Sequence, residues 1–591
     1  MKRSLGVIVM LSVLVGGWKV HQYRRQAEAP TSRPVVDVAG TERPSVGPFQ
    51  LEEAAAAAGL AHTHQRFKVH PSFANVEPWL AGLGAHAAVA DVDNDGRMDV
   101  YLTNSAKGLP NRLFRNKGDG TFADIGAGSG AADVNREAGS LGALFFDYDN
   151  DGKKDLLLLT TRCTRVFRGN GDGTFAETTD KAGVDHCGYS VAANVLDYDA
   201  DGYLDLVIAD YFPRVDLSSD KTSKVMQNSL VAADNGGPIV AYRNNRDGTF
   251  SRVKDNLGIK SRGWTLALGA YDIRGTGRPD LYFATDYGGD QLYFNEGGGK
   301  FANVSPSVDN KYSRNGMSAE IADVDNDGHP LVMVTNINEP LYKIGENVLW
   351  KWTGGKEFKD LAWNRGVSKC GWAWGSKFMD LDNDGWLDLA VANGFISANP
   401  KKSYWFTMST MGSGAGIVME DAKNWPPMKD ASLAGYQRKC LYRNQGGQFR
   451  EVTETTPLEK DVSDGRGVAA IDVEGDGRLS FLIANQNQPL KFYRNLTRNG
   501  NHWLGFSLTG VKSNRDAYGA SVTAVLSDGR KLTRQVQPMN GFMSQSDSRV
   551  HFGLGSALSV ESVEILWPSG AKQTIRKPAL DRYHAVREEA S

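Results

Sequence analysis

Cysteine is scarce in this sequence. The 591 residues include four, at Cys163, Cys187, Cys370 and Cys440. This number is too small for a scaffold held together by disulfides, and the closely spaced pairs that bind zinc are missing. Two interpretations stay open here: two disulfides in an exported chain, Cys163–Cys187 and Cys370–Cys440, or four buried free thiols.

An excess of charge of one sign is missing as well. The 67 Lys and Arg residues nearly balance the 69 Asp and Glu residues, and the formal net charge is −2. Such a chain has no overall attraction for nucleic acid or anionic membranes, and no stripe of basic and aromatic residues predicts a nucleic-acid partner. No convincing Ser, His and Asp set stands out, so the sequence predicts a protein that is not an enzyme. His62 and His64 alternate as metal ligands on a strand would, but without a third ligand they are expected to be ordinary polar residues.

The one long apolar run lies at the N-terminus. Lys2 and Arg3 precede mostly apolar residues from Leu5 to Trp18, which is the pattern of an export signal and is short for a transmembrane helix. Residues 1–25 therefore fit a cleaved signal peptide and an uncleaved signal anchor equally well. Residues 26–45 are rich in Pro and polar residues and are predicted to be a linker. We expect an exported protein that is periplasmic, on the cell surface or secreted.

Clusters of acidic residues are what the chain does contain. Residues 91–99, DVDNDGRMD, carry carboxylates at loop positions 1, 3, 5 and 9 and a glycine at position 6. Carboxylates this close repel one another unless a cation lies among them. Hard oxygen ligands in a flexible loop suit calcium. An EF-hand is excluded, because it needs a bidentate Glu at position 12, where Leu102 lies in a predicted strand.

Four copies of this nine-residue loop are intact. In each copy we predict calcium ligands at positions 1, 3, 5 and 9 and at the backbone carbonyl of position 7. The alternative is an Asx-rich turn that only closes a hairpin. The predicted carboxylate ligands are Asp91, Asp93, Asp95 and Asp99; Asp147, Asp149, Asp151 and Asp155; Asp197, Asp199, Asp201 and Asp205; and Asp380, Asp382, Asp384 and Asp388. The predicted carbonyl ligands belong to Arg97, Lys153, Tyr203 and Trp386.

Three further copies, the degenerate loops, have lost one or more of these ligands. Two of them lack the acid at position 9, which is Leu331 in one and Ser480 in the other, and weak calcium binding is expected there as readily as none. The third has Arg274 at position 3, and we expect this fixed cation to pair with Asp272 and Asp280 in place of a metal. In the two copies that lack the acid at position 9, the remaining acids are Asp323, Asp325 and Asp327, and Asp472, Glu474 and Asp476.

A repeat of two hairpins runs along the chain. Each acidic loop lies between two short apolar runs, and a second element with Gly-x-Phe at its centre, such as GDGTFAETT, follows six of the seven loops. Both patterns are typical of hairpins, so each repeat supplies four strands. Seven such repeats predict an all-β fold with a seven-bladed β-propeller over residues 46–498. Insertions interrupt it near residues 213–240 and 394–436.

The seventh loop has no Gly-x-Phe element after it, but one precedes the first loop, in GPFQLEEAAAAAGL. We predict that this segment forms the outer strand of the last blade, around Gln50 to Glu52. Phe49 is then expected at the position of Phe122 in the first blade. Such a strand would join the two ends of the propeller and protect a sheet edge.

These motifs resemble a known family. The Asp-x-Asp-x-Asp-Gly loops with Gly-x-Phe elements resemble FG-GAP/VCBS repeats, which build seven-bladed propellers in exported proteins. The segments NHWLGFSLTG, VHFGLG and VEILWPSG of the C-terminal region resemble the ASPIC/UnbV domain, and residues 499–587 are also expected to be β-sandwich-like from their alternating pattern. The two modules together are the arrangement of cartilage-acidic-protein-like proteins.

The resemblance implies extracellular calcium binding and contact with a protein or glycan ligand, without a defined reaction. We therefore expect adhesion, scaffolding or ligand binding, with Ca²⁺ as the bound ion and an N-terminal membrane anchor if the signal is not cleaved. The alternative is an enzyme, or an accessory subunit of one, with a site at the propeller channel. Titratable groups converging in the channel would favour that alternative.

Overall fold

The computed structural model describes residues 47–308, 315–339, 343–409 and 419–590. The predicted signal and linker lie outside the described residues. The described part of the chain forms seven propeller sheets, two C-terminal sheets and two small two-stranded sheets. The predicted all-β, seven-bladed fold is confirmed.

The blades follow one another along the chain, and the strands within each blade are antiparallel. The first described strand is β1 (Leu51–Glu53). Blade 1 contains β2 (Ala87–Ala90), β3 (Asp99–Leu102), β4 (Arg112–Asn116) and β5 (Phe122–Asp124). Blade 2 contains β6 (Ser140–Phe146), β7 (Asp155–Thr160), β8 (Arg165–Gly169) and β9 (Phe175–Glu177). Blade 3 contains β10 (Ser190–Leu196), β11 (Asp205–Asp210), β12 (Ile239–Asn244) and β13 (Phe250–Arg252).

Blades 3, 5 and 6 carry insertions between their second and third strands. Blade 4 contains β14 (Trp264–Tyr271), β15 (Asp280–Asp286), β16 (Gln291–Gly297) and β17 (Lys300–Asn303). Blade 5 contains β18 (Glu320–Ala322), β19 (Leu331–Val334), the inserted pair β20 (Asn338–Glu339) and β21 (Lys343–Ile344), β22 (Val348–Gly354) and β23 (Glu357–Asp360). Blade 6 contains β24 (Ala373–Met379), β25 (Asp388–Asn393), the inserted pair β26 (Asn399–Ser403) and β27 (Ala431–Ser432), β28 (Cys440–Gln445) and β29 (Gln448–Glu451). Blade 7 contains β30 (Gly465–Ile471), β31 (Ser480–Asn485), β32 (Lys491–Asn495) and the returning β1.

Helices in the described part are short. They are α1 (Glu77–Leu80), α2 (Thr179–Ala182), α3 (Ala362–Arg365) and α4 (Tyr404–Ser409), with 3₁₀ turns at Pro71–Phe73, Asn256–Gly258, Ser305–Ser307, Ala422–Asn424, Thr453–Thr455 and Pro457–Lys460. None of the described helices is long and apolar enough to cross a membrane.

The first strand of each blade lies beside the axis of the ring, where neighbouring strands crowd together. Two of these strands consist mostly of small residues: β2 reads AAVA and β30 reads GRGVAAI, and every residue of both is buried. A Cβ on Gly375 of β24 would lie 2.2 Å from the carbonyl oxygen of Arg466 in β30. A larger side chain at this position would therefore push two blades apart.

The ring closes after seven blades. The first strands contact one another in the order β2, β6, β10, β14, β18, β24 and β30, and β30 contacts β2. At the outer edge of blade 7, β1 pairs antiparallel with β32, with Leu51 opposite Asn495 and Glu53 opposite Tyr493. The prediction that the segment before the first loop completes the last blade is confirmed.

The predicted place of Phe49 is wrong by two residues. Phe122 lies opposite Asn116 in blade 1, and the residue in the equivalent register of blade 7 is Leu51, opposite Asn495. In the other blades a turn from the third strand sets where the phenylalanine falls, but β1 has no such turn before it. A shift of two residues keeps the same side chains facing inward, and Phe49 is still buried, in the core between blades 6 and 7.

The C-terminal domain consists of two facing sheets. Its strands are β33 (His502–Thr509), β34 (Ser521–Leu526), β35 (Lys531–Gln535), β36 (Ser544–Gln545), β37 (Val550–Gly555), β38 (Val560–Leu566), β39 (Lys572–Arg576) and β40 (Tyr583–Arg587). One sheet has the order β37-β33-β40 and the other β35-β34-β38-β39. Residues of both sheets share one apolar core with Leu144 of blade 2 and Val195 of blade 3, so the domain packs directly on the propeller.

The C-terminal domain also sends a segment into the centre of the ring. This channel segment, residues 537–549, contains β36, which pairs in parallel with β2. The amide of Phe145 donates to Gln545 Oε1 at 2.7 Å, and the amide of Ile321 donates to Asn540 Oδ1 at 3.0 Å. Because these amides belong to first strands of blades 2 and 5, the segment occupies the propeller channel.

Aromatic residues close the other end of the ring. Because the strands of a blade are antiparallel, the connections between second and third strands lie opposite the acidic loops. There the ring of Trp79 lies 5.7 Å from Phe395 and 5.2 Å from Trp425. The buried Arg466 donates to the carbonyl oxygens of Gly82 and Phe395, each at 3.0 Å. Its guanidinium therefore ties β30 to this aromatic cap.

Both cysteine pairs are disulfides. Cys163 is bonded to Cys187 and Cys370 to Cys440. The interpretation as two disulfides is confirmed, and the free-thiol interpretation is wrong. His62 Nε2 contacts the carbonyl oxygen of Thr103 at 3.1 Å, and His64 lies in the core.

Candidate metal centres

The acidic loops connect the first and second strands of each blade, at one end of the ring. In the first loop, Asp91 at position 1 accepts backbone N–H groups from Asp95 at 3.1 Å and Gly96 at 2.9 Å. Asn94 at position 4 and Gly96 at position 6 have φ values of 58° and 84°. Asn and Gly tolerate this left-handed backbone, and the tight turn brings the alternate carboxylates together.

Five loops gather three acidic side chains, with ligand oxygens within 4.8 Å of one another. In the four intact loops the three residues stand at positions 1, 3 and 9. These groups are Asp91, Asp93 and Asp99; Asp147, Asp149 and Asp155; Asp197, Asp199 and Asp205; and Asp380, Asp382 and Asp388. The fifth group, in the degenerate loop of blade 7, is Asp472, Glu474 and Asp476.

The carboxylate at position 5 lies outside these groups of three in the intact loops. It folds back on its own turn, where Asp95 Oδ1 accepts the backbone N–H of Arg97 at 2.9 Å and Asp201 Oδ1 accepts that of Tyr203 at 3.0 Å. The role of position 5 and of the position-7 carbonyl as metal ligands stays a prediction.

The carboxylate at position 9 links the loop to the third strand of its blade. Asp99 accepts the N–H of Val92 at 3.0 Å with Oδ2 and the N–H of Asn116 at 2.8 Å with Oδ1. Asp205 binds Tyr198 and Asn244 in the same way. These carboxylates are buried, so the site is built on the blade core and not on a free loop.

The carboxylate at position 3 is the clearest indication that the loop can hold a cation. In Asp93, Asp199 and Asp382 the Oδ1 atom is buried and has no hydrogen-bond partner. Asp382 is only 4% exposed. A buried carboxylate oxygen without a partner costs free energy unless a cation or donor reaches it. A hard cation among positions 1, 3 and 9 satisfies that oxygen, and the all-oxygen donor set suits calcium.

The pKa values of the clustered carboxyls point the same way. Burial raises the pKa of Asp99 to about 7, of Asp155 to about 8 and of Asp205 to about 9, and neighbouring carboxylates add to the shift. Burial also holds the pKa values of Asp380 and Asp388 well above their usual range. Without a cation these groups resist simultaneous ionisation near neutral pH.

The degenerate loops differ from one another. In blade 5, Asp325 and Asp327 both bind Lys351 Nζ, at 2.8 and 2.5 Å, and only Asp325 Oδ1 is left buried and unpartnered. In blade 4, Arg274 binds Asp280 at 3.0 Å and Glu296 at 3.1 Å.

The predicted pairing of Arg274 is therefore right for Asp280. Asp272, the other predicted partner, instead accepts the backbone N–H groups of Thr276 at 2.9 Å and Gly277 at 2.6 Å. The turn itself satisfies the position-1 carboxylate, as it does in the intact loops.

The C-terminal domain rests on several of these loops. Lys154 of blade 2 forms a salt bridge with Asp516 at 2.5 Å. Arg534 donates to Asn326 Oδ1 at 3.2 Å, and the N–H of Gly555 donates to the carbonyl oxygen of Asn383 at 2.7 Å. Sequence reasoning missed this relationship, since no local pattern in the C-terminal domain marks the residues that contact the loops.

Comparison with known proteins agrees with the two-module architecture. A family model described as FG-GAP-like repeat matches residues 91–158, 147–208 and 272–334, and one described as ASPIC and UnbV matches residues 510–591. The chain combines FG-GAP-like repeats with an ASPIC and UnbV domain. The repeats span acidic loops of blades 1 to 5, and the ASPIC and UnbV match includes the channel segment.

The chain is also similar to two curated proteins named Cartilage acidic protein 1. The Xenopus tropicalis protein is 23% identical over 514 residues, covering 82% of this chain and 70% of the relative. The Mus musculus protein is 22% identical over 530 residues, covering 85% and 73%. Among solved structures, an Agrocybe aegerita lectin that recognises non-reducing terminal N-acetylglucosamine is 17% identical, with a TM-score of 0.34 over 64% of this chain and 82% of that chain.

Proposed function

We propose that the protein is an exported calcium-binding β-propeller that acts in adhesion, as a scaffold or in capture of a protein or glycan outside the cell. The observation that carries calcium binding is the set of four loops in which carboxylates at positions 1, 3 and 9 converge. In three of these loops a buried position-3 oxygen has no partner. Asp91, Asp147, Asp197 and Asp380, at position 1, would each hold one ion together with their loop partners.

Export is supported by two disulfides and by the predicted N-terminal signal. Disulfides persist in oxidising compartments outside the cytosol. The similarity to FG-GAP-like repeats and to cartilage acidic protein 1 also favours an extracellular protein. We propose a location in the periplasm, on the cell surface or in the medium.

The alternative, an enzyme or accessory subunit with a site in the channel, has less support. The channel segment fills the centre of the ring. A cavity of about 130 Å³ lies between this segment and the blades, and its lining includes the titratable groups Glu320, Lys377 and Arg534. Such groups would favour the alternative, but Glu320 and Lys377 form a salt bridge with each other at 3.2 Å. Ligand sites for typical small molecules measure about 300–1,000 Å³, so this cavity is too small for most substrates. A binding scaffold therefore fits the ring better.

The calcium proposal is tested by titration of the metal-stripped full-length chain. We expect four tight calcium ions and at most two weaker ones, counted by calorimetry and by elemental analysis after gel filtration. Asp197→Asn should remove one tight ion. Asp247→Asn is the matched control, because Asp247 lies in the outer turn of the same blade and caps Thr249. Seven equal sites, or no bound calcium, would contradict the proposal.

The adhesion proposal needs a separate test. Binding of the labelled chain to an array of extracellular glycans and matrix proteins should be measured with calcium and after metal removal. Saturable binding to at least one class supports adhesion or ligand capture. Catalytic turnover without binding to either class would favour the alternative.

A further inference from the structure

A basic residue on the third strand recurs next to the acidic loops. In six of the seven blades it contacts the carboxylate at loop position 3. The strand register places this basic residue directly opposite loop position 9. In blade 3, for example, Tyr242 pairs with Leu206 at position 10, so the next residue, Arg243, lies opposite Asp205 at position 9. The six residues are Arg115, Arg168, Arg243, Lys351, Arg443 and Arg494.

The two oxygens of the position-3 carboxylate have different surroundings. In blade 3, Asp199 Oδ2 accepts from Arg243 Nε at 2.8 Å, whereas Asp199 Oδ1 is buried without a partner. In blade 6, Asp382 Oδ2 lies 2.7 Å from Arg443 Nη2, and Asp382 Oδ1 is again unpartnered. In both residues the arginine guanidinium binds Oδ2, and Oδ1 is available to bind a metal cation.

The basic residue also reaches the acid at position 5. Arg243 Nη2 lies 3.1 Å from Asp201 Oδ2, and Arg168 Nη2 lies 2.8 Å from Asp151 Oδ2. Each of these guanidiniums therefore neutralises two carboxylates that otherwise repel each other in the metal-free loop.

In blade 4 the basic residue stands at loop position 3 instead of on the third strand. The third strand carries Phe294 where the others carry Arg or Lys, and the loop carries Arg274 at position 3. The Arg274 guanidinium lies 4.2 Å from the centre of the Phe294 ring and binds Asp280. One basic residue is kept beside the carboxylates, but it stands in the loop and takes the place of a metal ligand.

We propose that the third-strand Arg or Lys is a resident counter-ion that sets the calcium affinity of its loop. This inference rests on the calcium binding proposed above. The side chain stabilises the metal-free loop more than the loaded loop, because calcium shares the charge of the same carboxylates and repels the guanidinium. Coupling between two ligands is reciprocal, so the counter-ion lowers calcium affinity and keeps the loop folded when calcium is removed.

The first test is Arg243→Gln in the full-length chain. We expect the affinity of one site to rise roughly three- to tenfold, because a partly exposed positive charge near the ion is removed. The melting temperature should fall in metal-stripped buffer and fall less in saturating calcium. Arg252→Gln is the control, since Arg252 is exposed on the outer strand of the same blade, and it should change neither quantity. Affinity that falls or stays unchanged in Arg243→Gln would overturn the inference.

The second test uses blade 4. Arg274→Asp supplies carboxylates at positions 1, 3 and 9 without a third-strand cation, so we expect one additional calcium ion per chain. Adding Phe294→Arg should weaken that new site roughly three- to tenfold. A new site that Phe294→Arg strengthens, or an Arg274→Asp chain that folds and binds no additional ion, would contradict the inference.

The outcomes separate the two proposals. A wild-type chain that binds no calcium would overturn the proposed function and this inference together. A wild-type chain that binds calcium, with Arg243→Gln failing to raise its affinity, would overturn the counter-ion role alone.

Discussion

Leu51 lies opposite Asn495 in the outer strand pair of blade 7, although the two residues come from opposite ends of the propeller sequence. The amide of Ala54 continues this pairing by donating to the carbonyl oxygen of Phe492 at 2.8 Å. Because β1 covers the edge of β32, the two ends of the propeller sequence are joined and β32 has no open edge where the ring closes.

Deletion of residues 47–60 should therefore open the ring, although this stretch carries no predicted calcium ligand. We expect loss of the cooperative thermal transition or a fall of more than ~10 °C, with oligomers in size-exclusion chromatography, because the exposed β32 edge pairs with other chains. Deletion of residues 26–44, the predicted linker, is the control. A chain without residues 47–60 that stays monomeric and melts like the wild type would show that the ring closes by other means.

Stability of the metal-free chain should fall as pH rises from about 6 to 9. A carboxyl whose folded pKa is raised, such as Asp155 at about 8 or Asp205 at about 9, binds its proton more tightly in the folded state. Its contribution is fully present below the unfolded pKa, which is about 4, and is lost progressively as pH rises from there through the folded pKa. Melting temperature against pH, measured with and without calcium, checks this.

The calcium-loaded chain should lack this fall, because the bound ion stabilises the ionised carboxylates at high pH. Asp205→Asn should reduce the slope in metal-free buffer near pH 8 to 9. Metal-free stability that rises over the same range would be inconsistent with the raised pKa values.

Calcium should leave the loop of blade 6 more slowly than the loop of blade 1. Asp95 and Gly96 of blade 1 are exposed, whereas Asp382 is 4% exposed and its carbonyl oxygen accepts the side-chain amide of Asn501 at 2.8 Å. Release from a loop covered by the C-terminal domain needs local opening, so we expect rates roughly tenfold or more apart. Stopped-flow mixing with a fluorescent chelator measures the phases.

Two variants assign these phases. Asp93→Asn should remove a fast phase, and Asp382→Asn should remove the slowest one. The opposite assignment would show that cover by the C-terminal domain does not limit release.

Gly467→Ala should displace the channel segment. A Cβ on Gly467 would lie 2.1 Å from the carbonyl oxygen of Met543, so the segment and β30 have to move apart. We expect a loss of about 1–3 kcal/mol in the free energy of unfolding. Gly288→Ala is the control, because its Cβ would have ordinary contacts, the nearest at 3.7 Å from Thr285. Equal denaturation midpoints for the two variants would argue against a tightly packed channel.

The sequence by itself determined the number of blades and the composition of the acidic loops. Both follow from local rules: alternate carboxylates in a turn with Gly at position 6 converge wherever the hairpin is placed, and apolar runs on either side become strands. The pairing of β1 with the last blade could also be predicted, because one repeat lacked an outer strand. The register of this pairing could not be predicted. Alternate residues of a strand face the same side, so Phe49 and Leu51 suit the inward-facing position opposite Asn495 equally well.

Only the tertiary structure decided what surrounds the loops. The third-strand arginines lie up to about sixty residues from the carboxylates they bind, as Arg443 does from Asp382, and strand pairing alone brings them together. The cover over the acidic loops and the channel segment come from another domain, and many of their contacts use backbone N–H and carbonyl groups of the blades that any residue can supply. A sequence pattern records side chains at short spacing, so it does not encode contacts made through the backbone across hundreds of residues.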